Sequence, residues 1–149
     1  MTQPRMIFVN LPVTDLSRSI AFYEAIGFRK EPKFSSEAAA MMVLSDTISV
    51  MLLTHPFYGT FTRKPIADAH GSSQMLLCIS CDSPEEVDRM TEAAGAAGGP
   101  TDVSQEDQTK GGPMYGRDFE DPDGHQWAPM WMDPDFAEKG AHPVEEAAA

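Results

Sequence analysis

Cysteine, basic charge and long apolar runs are the scarce features of this 149-residue chain. The two cysteines, Cys78 and Cys81, are spaced as Cys-x-x-Cys within Met75-Leu-Leu-Cys-Ile-Ser-Cys81, which reads as a strand. Residues three apart in a strand point to opposite faces, and their Cα atoms lie roughly 10 Å apart at about 3.3 Å per residue. A disulfide needs less than about 7 Å, and a redox pair usually sits at a helix start, so both read as structural. Against 23 acidic residues stand 11 basic ones, a net charge of −12. That field repels phosphate backbones and excludes a nucleic-acid partner. No apolar run approaches the roughly 20 residues of a membrane helix, so no membrane partner is expected. The N-terminus lacks an apolar segment followed by a small-residue cleavage site, which predicts a cytoplasmic protein.

The usual catalytic constellations are missing as well. The four histidines, His55, His70, His125 and His142, have no close ligand spacing. Ser80 and Cys81 lack a neighbouring histidine, and Gly111-Gly112-Pro113 lacks the Lys-Ser/Thr and helix of a phosphate loop. His125 reads as a half-exposed residue at a strand start rather than a general base.

What is present is a core-forming composition, 42% hydrophobic, with a pattern that occurs twice. Residues 6–13 read as a strand, Thr14-Asp15 as a helix cap, Leu16 to Ile26 as a helix and Gly27 as its stop. Phe28–Phe34 reads as a short strand broken by Pro32, and Ala38–Leu44 and Ile48–Leu53 as strands joined by a tight turn. Phe57, Tyr58 and Phe61 suggest one short helix. The order then restarts: strand Gln74–Cys81, helix from Ser83-Pro84-Glu85-Glu86 to Gly95, and strands Pro100–Ser104, Met114–Phe119 and His125–Trp131. Residues 105–112 read as a mobile polar loop. Displacing the first half by about 68 positions puts Phe8 on Leu76, Val13 on Cys81, Phe22 on Met90 and Gly27 on Gly95. The predicted class is α+β, two tandem βαβββ modules. Module one covers about residues 5–54, a connector 55–72 and module two about 73–133, all one domain over 1–133. Residues 134–149 form an acidic tail.

Val13-x-Asp15-Leu16-x-x-Ser19-x-x-Phe22-Tyr23-x-x-x-Gly27-Phe28 and Phe119-x-Asp121-Pro122-Asp123-Gly124-His125-x-Trp127 resemble the opening and closing motifs of the vicinal oxygen chelate superfamily. This group includes glyoxalase I, extradiol dioxygenases and bleomycin-resistance proteins. Asp-Pro-Asp-Gly is also turn chemistry in its own right, with Pro setting φ and Gly taking the position that needs positive φ. The resemblance implies a curved sheet around a cavity, often completed by a homodimer, and in many members one divalent ion. Its ligands would come from the first and fourth strands of each module. Those positions fall on Phe8 (or Asn10, two residues on), Met51, Leu76 and Ala128. None carries the carboxylate or imidazole a divalent ion requires, so no metal cofactor is expected.

The expectation is therefore metal-independent binding of a small, largely apolar ligand, resembling the bleomycin-resistance branch. Phe8, Asn10, Met51, Leu76, Tyr115, Gln126 and Ala128 are its candidate contacts. A divalent-metal lyase or dioxygenase with non-standard ligands, and an interaction module with a filled cavity, are the alternatives. Strand alternation puts Gln126, Ala128 and Met130 on the cavity side and Trp127 and Trp131 on the other, a candidate contact for a partner chain. Pro129, lacking an N–H, suggests a strand edge or bulge.

Overall fold

In a computed structural model describing residues 2–104 and 112–140, the doubled pattern becomes two four-stranded sheets. The first module runs β1 (Ile7–Val13), α1 (Leu16–Ala25), β2 (Arg29–Glu31), a 3-10 turn (Pro32–Phe34), β3 (Ala39–Val43) and β4 (Ile48–Thr54). The connector opens with α2 (His55–Tyr58). The second module runs β5 (Leu77–Ser80), α3 (Pro84–Ala96), β6 (Met114–Gly116), β7 (Phe119–Glu120) and β8 (Gln126–Met132), followed by α4 (Pro134–Lys139). The first sheet has the order β1-β4-β3-β2. The second has β5-β8-β6, with β7 also on β8. In each module the first strand lies parallel to the last, while the middle strands are antiparallel.

The two helices start alike but stop differently. Asp15 accepts from the Arg18 N–H (3.1 Å) and Ser83 from the Glu86 N–H (3.1 Å), so the caps sit at the expected displacement. The stops are Gly27 (φ +112°) and Gly98 (φ +96°), where positive φ suits glycine. In both, the next N–H reaches back to a carbonyl of the last turn: Phe28 to Tyr23 (2.9 Å), Gly99 to Ala94 (2.9 Å). The equivalence of Gly27 with Gly95 is thereby corrected. The second helix continues past Gly95, and the displacement of about 68 drifts by one short turn at Gly98.

The expected strand Gln74–Cys81 is shortened to Leu77–Ser80, leaving Leu76 just before it, and two further strands differ from expectation. Only Thr101 of the stretch Pro100–Ser104 makes a bridge, to Phe119. Asp102 turns to φ +55°, and the Asp118 carboxylate accepts the Val103 and Ser104 N–H groups (2.6 and 3.1 Å) that would otherwise have joined a ladder. The strand Met114–Phe119 is divided into β6 and β7, although both keep one register on β8. Pro129 is the cause. The Arg117 N–H donates to the Pro129 carbonyl (3.2 Å), but the proline has no N–H to return. Pro129 lies in the central strand between β5 and β6, not at an edge.

Both modules build one core. Leu11, Val13, Val50, Leu52, Ala40 and Met42 from the first sheet meet Phe22, Tyr23 and Phe28. Ile79, Ala94, Phe119 and Trp127 of the second module join the same cluster. Tyr23 stands edge-on to both Phe28 (5.2 Å) and Trp127 (6.0 Å). Fully burying each large side chain of this kind contributes about 1.5–3 kcal/mol, which neither module could collect alone. Trp127 is only 2% exposed, and half-buried Trp131 packs against Cys81, Val87 and Tyr115. The tryptophan side of the last strand is therefore covered by the chain itself and is not a free docking face. Residues 105–111, most of the expected polar loop, and 141–149 of the acidic tail lie outside the described residues. Among the described residues, no helix is long and apolar enough to cross a membrane.

Candidate functional site

The Asp121-Pro-Asp-Gly124 turn locks the two modules together. Asp121, 1% exposed, accepts from the Asp123 and His125 N–H groups (2.9 Å each) and from the Tyr23 hydroxyl (2.6 Å). The Trp127 indole N–H donates to the same hydroxyl (2.9 Å). Burial pushes the Asp121 carboxyl above its usual range. It pushes the Tyr23 hydroxyl well above its own, helped by the neighbouring carboxylate. Asp123 accepts from the Thr14 N–H (3.0 Å) and hydroxyl (2.8 Å) at the entry to α1. His125 Nε2 donates to the Pro12 carbonyl (2.9 Å), so it ties β8 to β1. The closing motif is thus a structural clasp, and His125 belongs to it.

That clasp sets the register of the β7–β8 hairpin and, with it, two cavities. Alternation turns Trp127 and Phe119 into the core and leaves Glu120, Gln126, Ala128 and Met130 on the opposite face. A cavity of about 320 Å³ lies there, lined by Leu76, Met114, Gly116, Gln126, Ala128 and Met130 among others. A second, of about 720 Å³, lies between connector residues 58–75 and the start of β8. Ile66, Met75, Glu120 and Gln126 are among its walls. Gln126 lines both. The connector reaches the turn closely: a Cβ on Gly124 (φ +89°) would lie 2.7 Å from the His70 nitrogen.

The expected contacts separate into two groups. Leu76, Gln126 and Ala128 come together around the smaller cavity. Phe8, Asn10 and Met51 share the corresponding face of the first sheet and line neither of these cavities. Phe8 is 45% exposed, and the exposed Asn10 amide donates to the Phe8 carbonyl (3.1 Å). Tyr115 stands apart from both groups. It borders the smaller cavity, but its ring is buried with Cys81 and Val87 and its hydroxyl donates to Asp88 (2.6 Å). Its polar group is engaged on α3. Glu120 is the residue the sequence reading passed over. Counting outward from the Asp-Pro-Asp-Gly turn would have placed it opposite Gln126.

Cys78 is exposed on β5 opposite Ala128, while Cys81 is buried, with its thiol pushed up to about 11 by desolvation. On the far side of the second sheet, Arg117 bridges Asp102 (2.7 Å), Asp88 (3.2 Å) and Glu92 (2.8 Å), pinning α3 to the strand. Its hydrogen bond holds Asp102 below the usual carboxylate range.

The four positions expected to carry ligands by resemblance lie in comparable places in the two modules. Met51 lies opposite Asn10, two residues beyond Phe8, and Ala128 lies opposite Cys78, two residues beyond Leu76. The same diagonal therefore recurs in both modules. Its side chains do not fit a divalent ion, because none bears an anionic or imidazole donor. Among the described residues, no group of three or more His, Cys, Asp or Glu is placed to hold a metal.

Residues 5–128 match the family model for the Glyoxalase/Bleomycin resistance protein/Dioxygenase superfamily. A hypothetical protein from S. aureus has a similar solved structure, with a TM-score of 0.69 at 23% identity over 87% of this chain and 95% of that one. A glyoxalase/bleomycin resistance protein/dioxygenase family enzyme from Burkholderia phytofirmans PsJN gives 0.67 at 19% identity, over 87% and 99%. The fosfomycin resistance protein FosX from Mesorhizobium loti gives 0.63 at 16% identity, over 93% and 99%. No match emerges from comparison with the curated proteins. The clasp, the doubled modules and the match across both make this chain a member of the glyoxalase/bleomycin resistance/dioxygenase superfamily.

Proposed function

We propose that the chain binds a small, largely apolar molecule on the open face of its second sheet, without a metal ion. The observation that carries this is the recurring diagonal Phe8–Met51 and Leu76–Ala128, apolar where metal-dependent relatives place ligands. In place of donors, the second module offers a cavity walled by Leu76, Ala128 and Met130, with Gln126 as its polar group. Methionine suits this role because its flexible thioether adapts to irregular ligands. Such a site resembles the bleomycin-resistance branch in logic. A metal-dependent lyase or dioxygenase would need converging donors, and His125 instead serves the clasp through Nε2.

A screen of small neutral apolar molecules by saturation-transfer NMR, run in excess EDTA, tests the reading. The wild-type chain should yield binders, and Ala128→Trp, which fills the cavity, should lose them while melting cooperatively. Binders unaffected by the tryptophan, or binding only after metal is restored, would contradict it. The homodimer belongs to the same reading. Met6, just before edge strand β1, and Ile7 and Phe8 at its start stand exposed, a patch that a second copy would cover. Sedimentation equilibrium decides that point.

A further inference from the structure

Glu120 closes β7 and lies directly across from Gln126 on β8. Its N–H is donated away from β8, to the Pro100 carbonyl (3.0 Å). The pair is therefore of the non-hydrogen-bonded kind, in which cross-strand side chains approach most closely. Phe119 enters the core, so Glu120, the next residue, points to the opposite face with Gln126. Both line the larger cavity, and Gln126 lines the smaller as well. Among the described residues, neither side chain has an ion-pair or hydrogen-bond partner. The Glu120 carboxylate thus faces the cavity without a partner among the described residues, so a cation placed beside it gains a charge-assisted contact. The carboxamide oxygen next to it accepts a second N–H.

We infer that the preferred ligand is an apolar molecule bearing a cationic amine, its ammonium on Glu120 and Gln126 and its body against Ala128 and Met130. This rests on the reading of the cavity as a ligand site. Lys64 also borders the larger cavity, but it is exposed, where its ammonium stays hydrated. A carboxylate ligand drawn to Lys64 is thus the sharpest competitor.

Calorimetry on the full chain with three isosteric probes separates these cases: cyclohexylmethylammonium, cyclohexylmethanol and cyclohexanecarboxylate. The ammonium should bind about tenfold more tightly than the alcohol, as one charge-assisted contact gives. Glu120→Gln should erase that preference and leave the alcohol unchanged. Asp46→Asn, which removes an exposed charge in the turn between β3 and β4, should leave the preference intact, showing that net charge is not its source. Equal binding of ammonium and alcohol, a preference for the carboxylate, or a preference that survives Glu120→Gln would overturn the inference while the cavity reading stands. If none of the three binds, the cavity reading falls and the inference with it.

Discussion

Tyr23 is the residue on which the modules meet. Its ring stands among Phe22, Phe28 and Trp127, and its hydroxyl links the Trp127 indole to the Asp121 carboxylate. A hydrogen bond to a charged group contributes about 1.5–3 kcal/mol, and removing one partner leaves the other unsatisfied in a dry site. Tyr23→Phe, which keeps the ring, should therefore cost about 2–3 kcal/mol in urea unfolding. A cost within about 0.5 kcal/mol, the usual range for an unimportant surface change, would show that the clasp does not hold the modules. At this scale the sequence was partly legible. The Asp15 and Ser83 caps and the Asp-Pro-Asp-Gly turn follow from local chemistry, because each acts within a few residues of itself. Tyr115 did not, because its partner Asp88 is 27 residues away, on another element.

At the scale of elements, the Asp-Pro-Asp-Gly turn and the connector form one wall of the larger cavity. Gly27 and Gly124 provide an internal comparison. Both have positive φ, which costs an alanine about 1 kcal/mol. A Cβ at Gly27 meets nothing within 4 Å, whereas at Gly124 it would strike the backbone at Ala69 and His70, at 2.8 and 2.7 Å. Gly27→Ala should cost about 1 kcal/mol in denaturant unfolding and Gly124→Ala about 3 kcal/mol or more, since backbone cannot step aside without displacing the connector. Equal costs would mean that the connector is not packed on the turn. Element identity was largely readable, since the apolar period and the caps agree. The exceptions share a cause: at Pro129 and Asp102 one residue's backbone, rather than any pattern, ends the ladder.

At the scale of the whole molecule, the duplicated pattern reads as two modules that pack on one another. The shared cluster of Tyr23, Phe28, Phe119 and Trp127 is how they join. The candidate site was less legible. Which positions face the cavity follows from alternation, and Leu76, Gln126 and Ala128 were found that way. Which cavity they share depends on the connector's path, which has no period to read. Glu120 was missed because a carboxylate beside a turn looks like any solvated charge until its cross-strand neighbour is known.

Metal content tests the central claim most directly. Protein purified without chelators and without a metal-affinity column should carry far less than one divalent ion per chain by elemental analysis. It should remain so after incubation with nickel, zinc, manganese or ferrous iron. A stoichiometry near one per chain would contradict the account, because it would require donors that Phe8, Met51, Leu76 and Ala128 do not possess.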